Sequence, residues 1–306
     1  MDMIFSLDGV NPLIRKDNEL ICPTQGQSFQ VEENLIIFDQ TDDPFYEGSY
    51  MNSINYPGSN NQLIENLYLW TINSGHLSKI KKEIPKGGNV IDLGCGGGIK
   101  YLGQRYNMIG IDLSKSSLRV ASKLYNYVLA ANCVQKIPLL NESVDGVISS
   151  YFWEHLHPQE KLACLKEIKR ILKPNGKVIF LYDLKTDNPF VNYYARKDNK
   201  SYKKYFLEND GHVGYETFKK NQENFIAAGF NIKKNLSLQK TFIQEPSIYI
   251  KFSSIFPRNL FLGTLKFLDL PVILKPYIFL VRLVDWLTSF LPDKWGRITL
   301  TILNKQ

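Results

Sequence analysis

Short apolar runs alternate with amphipathic stretches through the middle of the chain, and this alternation is its main structural signal. Residues 89–93, 108–113, 127–131, 144–150 and 177–182 are too short for buried helices and are bounded by turn residues, so they read as strands. Between the fourth and fifth, Leu162, Leu165, Ile168, Ile171 and Leu172 share one helical face, with Lys166, Glu167, Lys169 and Arg170 opposite. That helix is expected to stop at Lys173-Pro174-Asn175-Gly176, where Asn175 or Gly176 can take the left-handed conformation. Ser114 is placed to cap a further helix running to about residue 127. Strands alternating with helices predict a parallel, doubly wound α/β sheet with right-handed crossovers.

The flanks are less regular. Residues 62–83 carry Leu63, Leu67, Trp70, Leu77 and Ile80 at helical spacing, with Pro85 and Gly87-Gly88 as the stop, and His76 is expected on the surface of that helix. Residues 1–44 are polar and acidic around a Gln25-Gly26-Gln27 turn, which predicts a small hairpin; 45–60 are rich in Tyr, Asn, Ser and Gly and read as irregular. Residues 215–228 read as a helix closed by Gly229, followed by strands at 230–238 and 297–304. The span 239–296 between those strands is apolar, aromatic and punctuated by prolines; a connection of that length is usually a functional element. The expected organisation is an N-terminal extension (1–44) and one domain (45–306) with a helical insertion at 239–296.

Composition narrows the class. With 306 residues, 44% apolar and 22% charged, the chain can bury a proper core, which excludes disordered and fibrous classes. The net charge of +7 is uneven: six Lys/Arg stand against twelve Asp/Glu over 1–86, but nineteen against ten over 185–306. A basic back half suits an anionic partner, or is simply a solvated lysine-rich surface. Cys22, Cys95, Cys133 and Cys164 are far apart, with no CxxC pair and no histidine at ligand spacing, so neither a disulfide scaffold nor a metal site is expected. The acidic N-terminus lacks the basic segment of a secretory signal, and charges interrupt the apolar region 252–292. The expected location is cytoplasmic.

The chemistry concentrates at Val90-Ile-Asp-Leu-Gly-Cys-Gly-Gly-Gly98, where a strand runs into a glycine-rich turn. Such a turn at the carboxyl end of a strand in an open α/β sheet lies at the expected binding crevice. The dinucleotide fingerprint would need glycine at position 99, which is Ile99, and the Gly-Lys-Ser/Thr of a P-loop is absent. Twenty residues after Asp92 comes Asp112, at the end of the next strand, where a carboxylate can accept hydrogen bonds from both hydroxyls of a ribose. A ribose-bearing ligand without a helix-borne pyrophosphate cradle describes S-adenosylmethionine better than NAD.

Four stretches together resemble the class I S-adenosylmethionine-dependent methyltransferases, in the group that includes quinone-biosynthesis and small-molecule enzymes. They are Val90 to Gly98, Gly110-Ile-Asp-Leu-Ser114, Val144 to Ser149 with Glu154-His-Leu156, and Leu172 to Gly176. The resemblance covers 86–182 well and 205–237 loosely. It implies a Rossmann-like seven-stranded sheet with the last strand antiparallel. It also implies S-adenosylmethionine as cofactor, with Asp92, Gly94, Gly96, Gly98, Asp112, Leu113, Asn132 and Cys133 holding it. Cys133 stands where the family often has an acid for the adenine amino group, with Asn132 beside it as an amide substitute. Ile137-Pro138-Leu139 matches the family's apolar adenine wall.

The candidate catalytic residues are His155, following the fourth strand, and His212, in Asp210-Gly-His-Val-Gly-Tyr215, which resembles a histidine before the late helix of relatives. A histidine base would suit an oxygen acceptor. Tyr46 and Tyr50 occupy a region that forms a lid in relatives, and Cys22-Pro-Thr-Gln-Gly26 resembles a zinc knuckle whose second cysteine is replaced by Gln25. The Asn/Asp-Pro-Pro-Tyr/Phe signature of amino-group methylation is replaced by Ser149-Ser-Tyr-Phe-Trp153, which argues against DNA bases. The expected reaction is methyl transfer to oxygen of a small metabolite, sugar or lipid-linked acceptor. The alternatives are an RNA acceptor and a noncatalytic scaffold. The apolar, basic segment 256–291 is a candidate for contact with the inner face of the membrane, for a homodimer interface, for a lid or for added core.

Overall fold

The computed structural model describes residues 5–39, 47 and 61–305. Its strands are β1 (Ile14–Lys16), β2 (Glu19–Ile21), β3 (Ser28–Glu32), β4 (Leu35–Ile37), β5 (Asn89–Leu93), β6 (Asn107–Asp112), β7 (Tyr127–Ala130), β8 (Val144–Ser150), β9 (Leu172–Asp183), β10 (Phe230–Leu238) and β11 (Ile298–Lys305). They lie in one sheet in the order β1-β2-β3-β4-β7-β6-β5-β8-β9-β11-β10. From β7 to β9 the strands are parallel, while β11 runs antiparallel to both β9 and β10. The doubly wound seven-stranded sheet is therefore present, with its last strand reversed.

The helices are α1 (Gln62–Thr71), α2 (His76–Glu83), α3 (Lys100–Arg105), α4 (Lys115–Ala121), α5 (Pro158–Ile171), α6 (Pro189–Lys197), α7 (Asn199–Lys203), α8 (Phe218–Ala227), α9 (Pro246–Ile255), α10 (Leu260–Leu265) and α11 (Pro271–Leu287). Strand alternation splits the core into two layers. Ile91, Leu93, Ile109, Ile111 and Val147 face one side, and Val90, Met108, Val128 and Ile148 face the other. Both sides are covered, so the strands are apolar throughout rather than alternating with polar residues. A third cluster around Tyr194, Phe206, Tyr249, Phe252 and Leu262 joins α6 to the insertion. Asn175 takes the left-handed conformation (φ 69°) expected after α5, and Ser114 Oγ accepts from the Ser117 amide as the cap of α4.

Three expectations change. The described part of the N-terminal region is more than a hairpin: β1–β4 pair antiparallel in sequence, and β4 then pairs parallel with β7, extending the sheet. The helix expected over 62–83 is broken, because Asn73, Ser74 and Gly75 all adopt positive φ (47°, 51° and 77°) and divide it into α1 and α2. That break turns His76 inward. It is 1% exposed, with Nε2 3.0 Å from the Ile179 carbonyl, not on the surface. Tyr46 and Tyr50 lie outside the described residues.

Candidate active site

The glycine turn follows β5 directly. Gly94, Gly96 and Gly98 all have positive φ (64°, 49° and 78°), a region that residues with a Cβ seldom occupy. A Cβ on Gly94 would fall 2.5 Å from the Phe152 ring, so at this position close approach and conformation both require glycine. Beneath the turn, the Tyr125 hydroxyl donates to Asp92 Oδ2 (2.7 Å) and accepts from the Ile99 amide (2.9 Å). Asp92 is buried, and burial lifts its carboxyl to about 7 despite that hydrogen bond. Its described partner is thus the scaffold below the loop.

Asp112 is held from two sides. Its Oδ2 accepts from the Gly96 amide and its Oδ1 from the Ser114 amide, each at 2.9 Å. Burial pushes this carboxyl up, and the backbone amides pull it back. The glycine turn and the acid therefore face each other at hydrogen-bond distance, with acceptor lone pairs left over, which is the arrangement a ribose needs. These residues fit the adenosyl group of S-adenosylmethionine. Half-buried Leu113 adjoins them.

The adenine end differs from expectation. Asn132 uses its side-chain oxygen on the Val134 amide (3.0 Å). The Cys133 thiol is buried 3.9 Å from Cys164 Sγ, turned into the core. Ile137 and Leu139 are fully buried, with Phe5 bridged to Leu139 and the Ser6 amide donating to the Pro138 carbonyl. The N-terminal segment has covered the expected apolar wall.

A cavity of about 700 Å³ opens beyond the ends of β8 and β9. Tyr151, Glu154 and His155 line it, while Phe152 in the same segment packs on Gly94, so residues 151–155 border both the cavity and the glycine turn. Tyr151 has φ 55°; a bulky residue held there marks local strain of the kind found at binding sites. His155 and His212 meet on the cavity wall with their rings edge-to-face at 5.2 Å, although 57 residues separate them in sequence. His155 Nδ1 lies 3.1 Å from the Gly211 carbonyl, and His212 stacks on Tyr215. Burial lowers His155 to about 4, with His212 adding to the effect, and burial likewise lowers His212.

Glu154 sits beneath the pair. It is 1% exposed, with Oε1 accepting from the Asp183 amide (3.1 Å). Its Oε2 and His212 Nδ1 have no hydrogen-bond partner among the described residues. Burial and the neighbouring Asp183 carboxylate push Glu154 up. Ligand-type atoms of Glu154, His155 and His212 all lie within 4.8 Å of one another, a grouping that no sequence spacing revealed.

Several residues here were not singled out from sequence. Lys161 is completely buried and donates to the Gly214 carbonyl (2.6 Å) and to Glu216 (2.8 Å), fastening the His212 loop to α5. Arg297 lies 3.4 Å from Asp183 and 3.8 Å from Glu245 across the cavity wall. Tyr151 and Asp183 could have been suspected, since both stand at the carboxyl ends of strands, where open α/β sheets bind ligands. Nothing in the spacing of Lys161 or Arg297 signals their roles.

Comparison with known proteins converges on the same segment. The family model described as a methyltransferase domain matches residues 91–180. An uncharacterized protein of Methanocaldococcus jannaschii, MJ1252, is 36% identical over 35% of this chain and 43% of its own length. The tRNA (carboxymethyluridine(34)-5-O)-methyltransferase ALKBH8 of Macaca fascicularis is 32% identical over 34% of this chain and 16% of its own. The cyclopropane-fatty-acyl-phospholipid synthase of Escherichia coli K12 is 27% identical over 51% and 47%. The chain spans less than half the length of each of these relatives. Residues 91–180, with the glycine turn and the facing acid, thus match a methyltransferase domain and are similar to class I S-adenosylmethionine-dependent methyltransferases.

Proposed function

We propose that this protein transfers a methyl group from S-adenosylmethionine to an oxygen of a small or lipid-linked acceptor held in the 700 Å³ cavity. When bound, the sulfonium supplies an intrinsically reactive methyl group, so the protein's task is to position the acceptor, exclude water and remove a proton. Gly94, Gly96, Gly98 and Asp112 hold the adenosyl portion. Asn132 and the main chain of Cys133 border the adenine, because the Cys133 thiol is committed to the core. One of the pair His155 and His212 takes the acceptor's single proton, since burial keeps both imidazoles in the neutral, proton-accepting form. Lys161 and Glu154 position the histidine pair.

The observation that carries this reading is the meeting of two half-buried histidines on a cavity wall that shares its segment with the Phe152–Gly94 contact. A cavity of this size suits a small acceptor or headgroup. Binding of S-adenosylmethionine measured by titration, then methyl transfer from labelled donor to a panel of hydroxyl-bearing acceptors, tests it. His155→Gln and His212→Gln should each lower turnover with donor affinity unchanged. The acidic limb of the wild-type rate profile should fall near pH 4, where His155 protonates. Full activity in both variants would remove the histidines from the reaction. No binding of the donor would point to a noncatalytic scaffold, and transfer to RNA alone would replace the small-acceptor reading.

A second reading is favoured by the Glu154–His155–His212 grouping, which is the donor set of a His₂-carboxylate metal site. Dialysis against a chelator separates the two. Unchanged turnover supports direct proton transfer, and loss restored by Zn²⁺ supports a bound cation.

A further inference from the structure

The helix α11 presents an unusual outer face. Val272, Phe279 and Trp286 recur at intervals of seven, as do Ile273, Leu280 and Leu287 beside them, and all six are exposed. Such spacing forms one continuous stripe on a helix. A surface helix normally turns its charges outward. Here Arg282 and Asp285 are instead buried and paired with each other at 2.9 Å. Val272 is 88% exposed, and Phe290, just past the helix, 81%. The helix α1 continues this surface, since Trp70 packs on Phe279 and its carbonyl accepts from Arg282. On α1, Leu63, Ile64 and Leu67 are exposed in turn.

The surroundings are cationic. Arg258, Lys266 and Lys275 are exposed among these apolar residues. Next to them, α6 and α7 expose Arg196, Lys197, Lys200 and Lys203, and α6 is joined to the insertion through Tyr194 and Asn259 (3.3 Å). No helix among the described residues is long and apolar enough to cross a membrane. An apolar stripe with exposed Trp and Phe and a basic margin is the composition of a surface that lies in a bilayer interface. Anionic lipid headgroups complement that margin. A two-fold dimer through the same face would instead set the cations of one copy against those of the other.

We infer that the apolar face of α1 and α11, with the basic margin of α6 and α7, docks on the surface of an anionic phospholipid bilayer. Both docking helices also line the cavity, through Thr71 and Ile72 of the α1 end and Leu274 and Ile278 of α11. An acceptor carried in the bilayer therefore has its headgroup delivered beside the histidine pair; this second half rests on the methyl-transfer reading.

The test is co-sedimentation of the full chain with phosphatidylcholine vesicles, with and without about a quarter phosphatidylglycerol. Binding to the anionic vesicles is expected, and the double variant Val272→Asp/Phe290→Asp should weaken it by about tenfold or more. Its melting temperature and its affinity for S-adenosylmethionine should not change. Wild-type protein that binds the donor yet ignores anionic vesicles would overturn the docking alone. Vesicle binding without donor binding would overturn the methyl-transfer reading alone. A wild-type dimer in sedimentation that the double variant dissociates, without vesicle binding, would assign the face to a second copy instead.

Discussion

At the scale of single residues, the site rests on groups that serve the scaffold and face the ligand region at once. Asp112 accepts from the amides of Gly96 and Ser114, so its carboxylate shapes the glycine turn, and in the proposed function it also holds the ribose. Asp112→Ala should weaken S-adenosylmethionine binding by about 1.5–3 kcal/mol, the range for hydrogen bonds to a charged group. Asp112→Asn retains one acceptor and should fall between; titration calorimetry on both variants checks the order. Unchanged affinity in Asp112→Ala would place the ribose elsewhere. The placing of Asp112 opposite the glycine turn was legible in the sequence because strand-end position and glycine spacing are local features. The inward turn of Cys133 was not, because it depends on Cys164, thirty-one residues away on another element.

At the scale of elements, strands were easier to place than helix continuity. Residues 89–93 and 144–150 were expected as strands from apolar runs and coincide with β5 and β8. The interruption between α1 and α2 escaped notice because Leu63, Leu67, Trp70, Leu77 and Ile80 keep a helical rhythm across it. What divides the helix is tertiary: Gly75 has φ 77°, and a Cβ there would meet the Trp70 carbonyl and an Arg282 nitrogen, each at 3.1 Å. Gly75→Ala should therefore destabilise the fold by about 1–3 kcal/mol, measured by urea unfolding. An unchanged midpoint would show that the break tolerates a side chain. The pairing of His155 with His212 was similarly invisible, since Lys161 draws the second histidine's loop onto α5.

At the scale of the whole molecule, buried titratable groups couple stability to pH in opposing directions. His76 is fully buried and lowered to about 4 from 6.5 by burial. As pH falls from 6.5 to 4 the unfolded chain takes up a proton that the folded chain refuses. Its stabilising contribution is thus complete above pH 6.5 and is lost towards pH 4, a difference of about 3 kcal/mol. Asp92, raised to about 7, acts the other way: the folded form keeps its proton longer, so stability declines as pH rises from about 4 to 7. Comparing wild type with His76→Gln isolates the first effect, and unfolding at pH 4 and pH 7 should show the variant losing less stability on acidification. Parallel losses in both proteins would remove His76 as the cause.

The sheet's two ends carry a consequence for self-association. The terminal β1 is three residues long, and terminal β10 carries Lys233 and Lys234 beside a break in register with β11. Short, charged or irregular borders offer little template for another chain's backbone. Growth into fibrils by adding strands is therefore disfavoured at either described border, and loss of β1 would expose only β2, which is equally short.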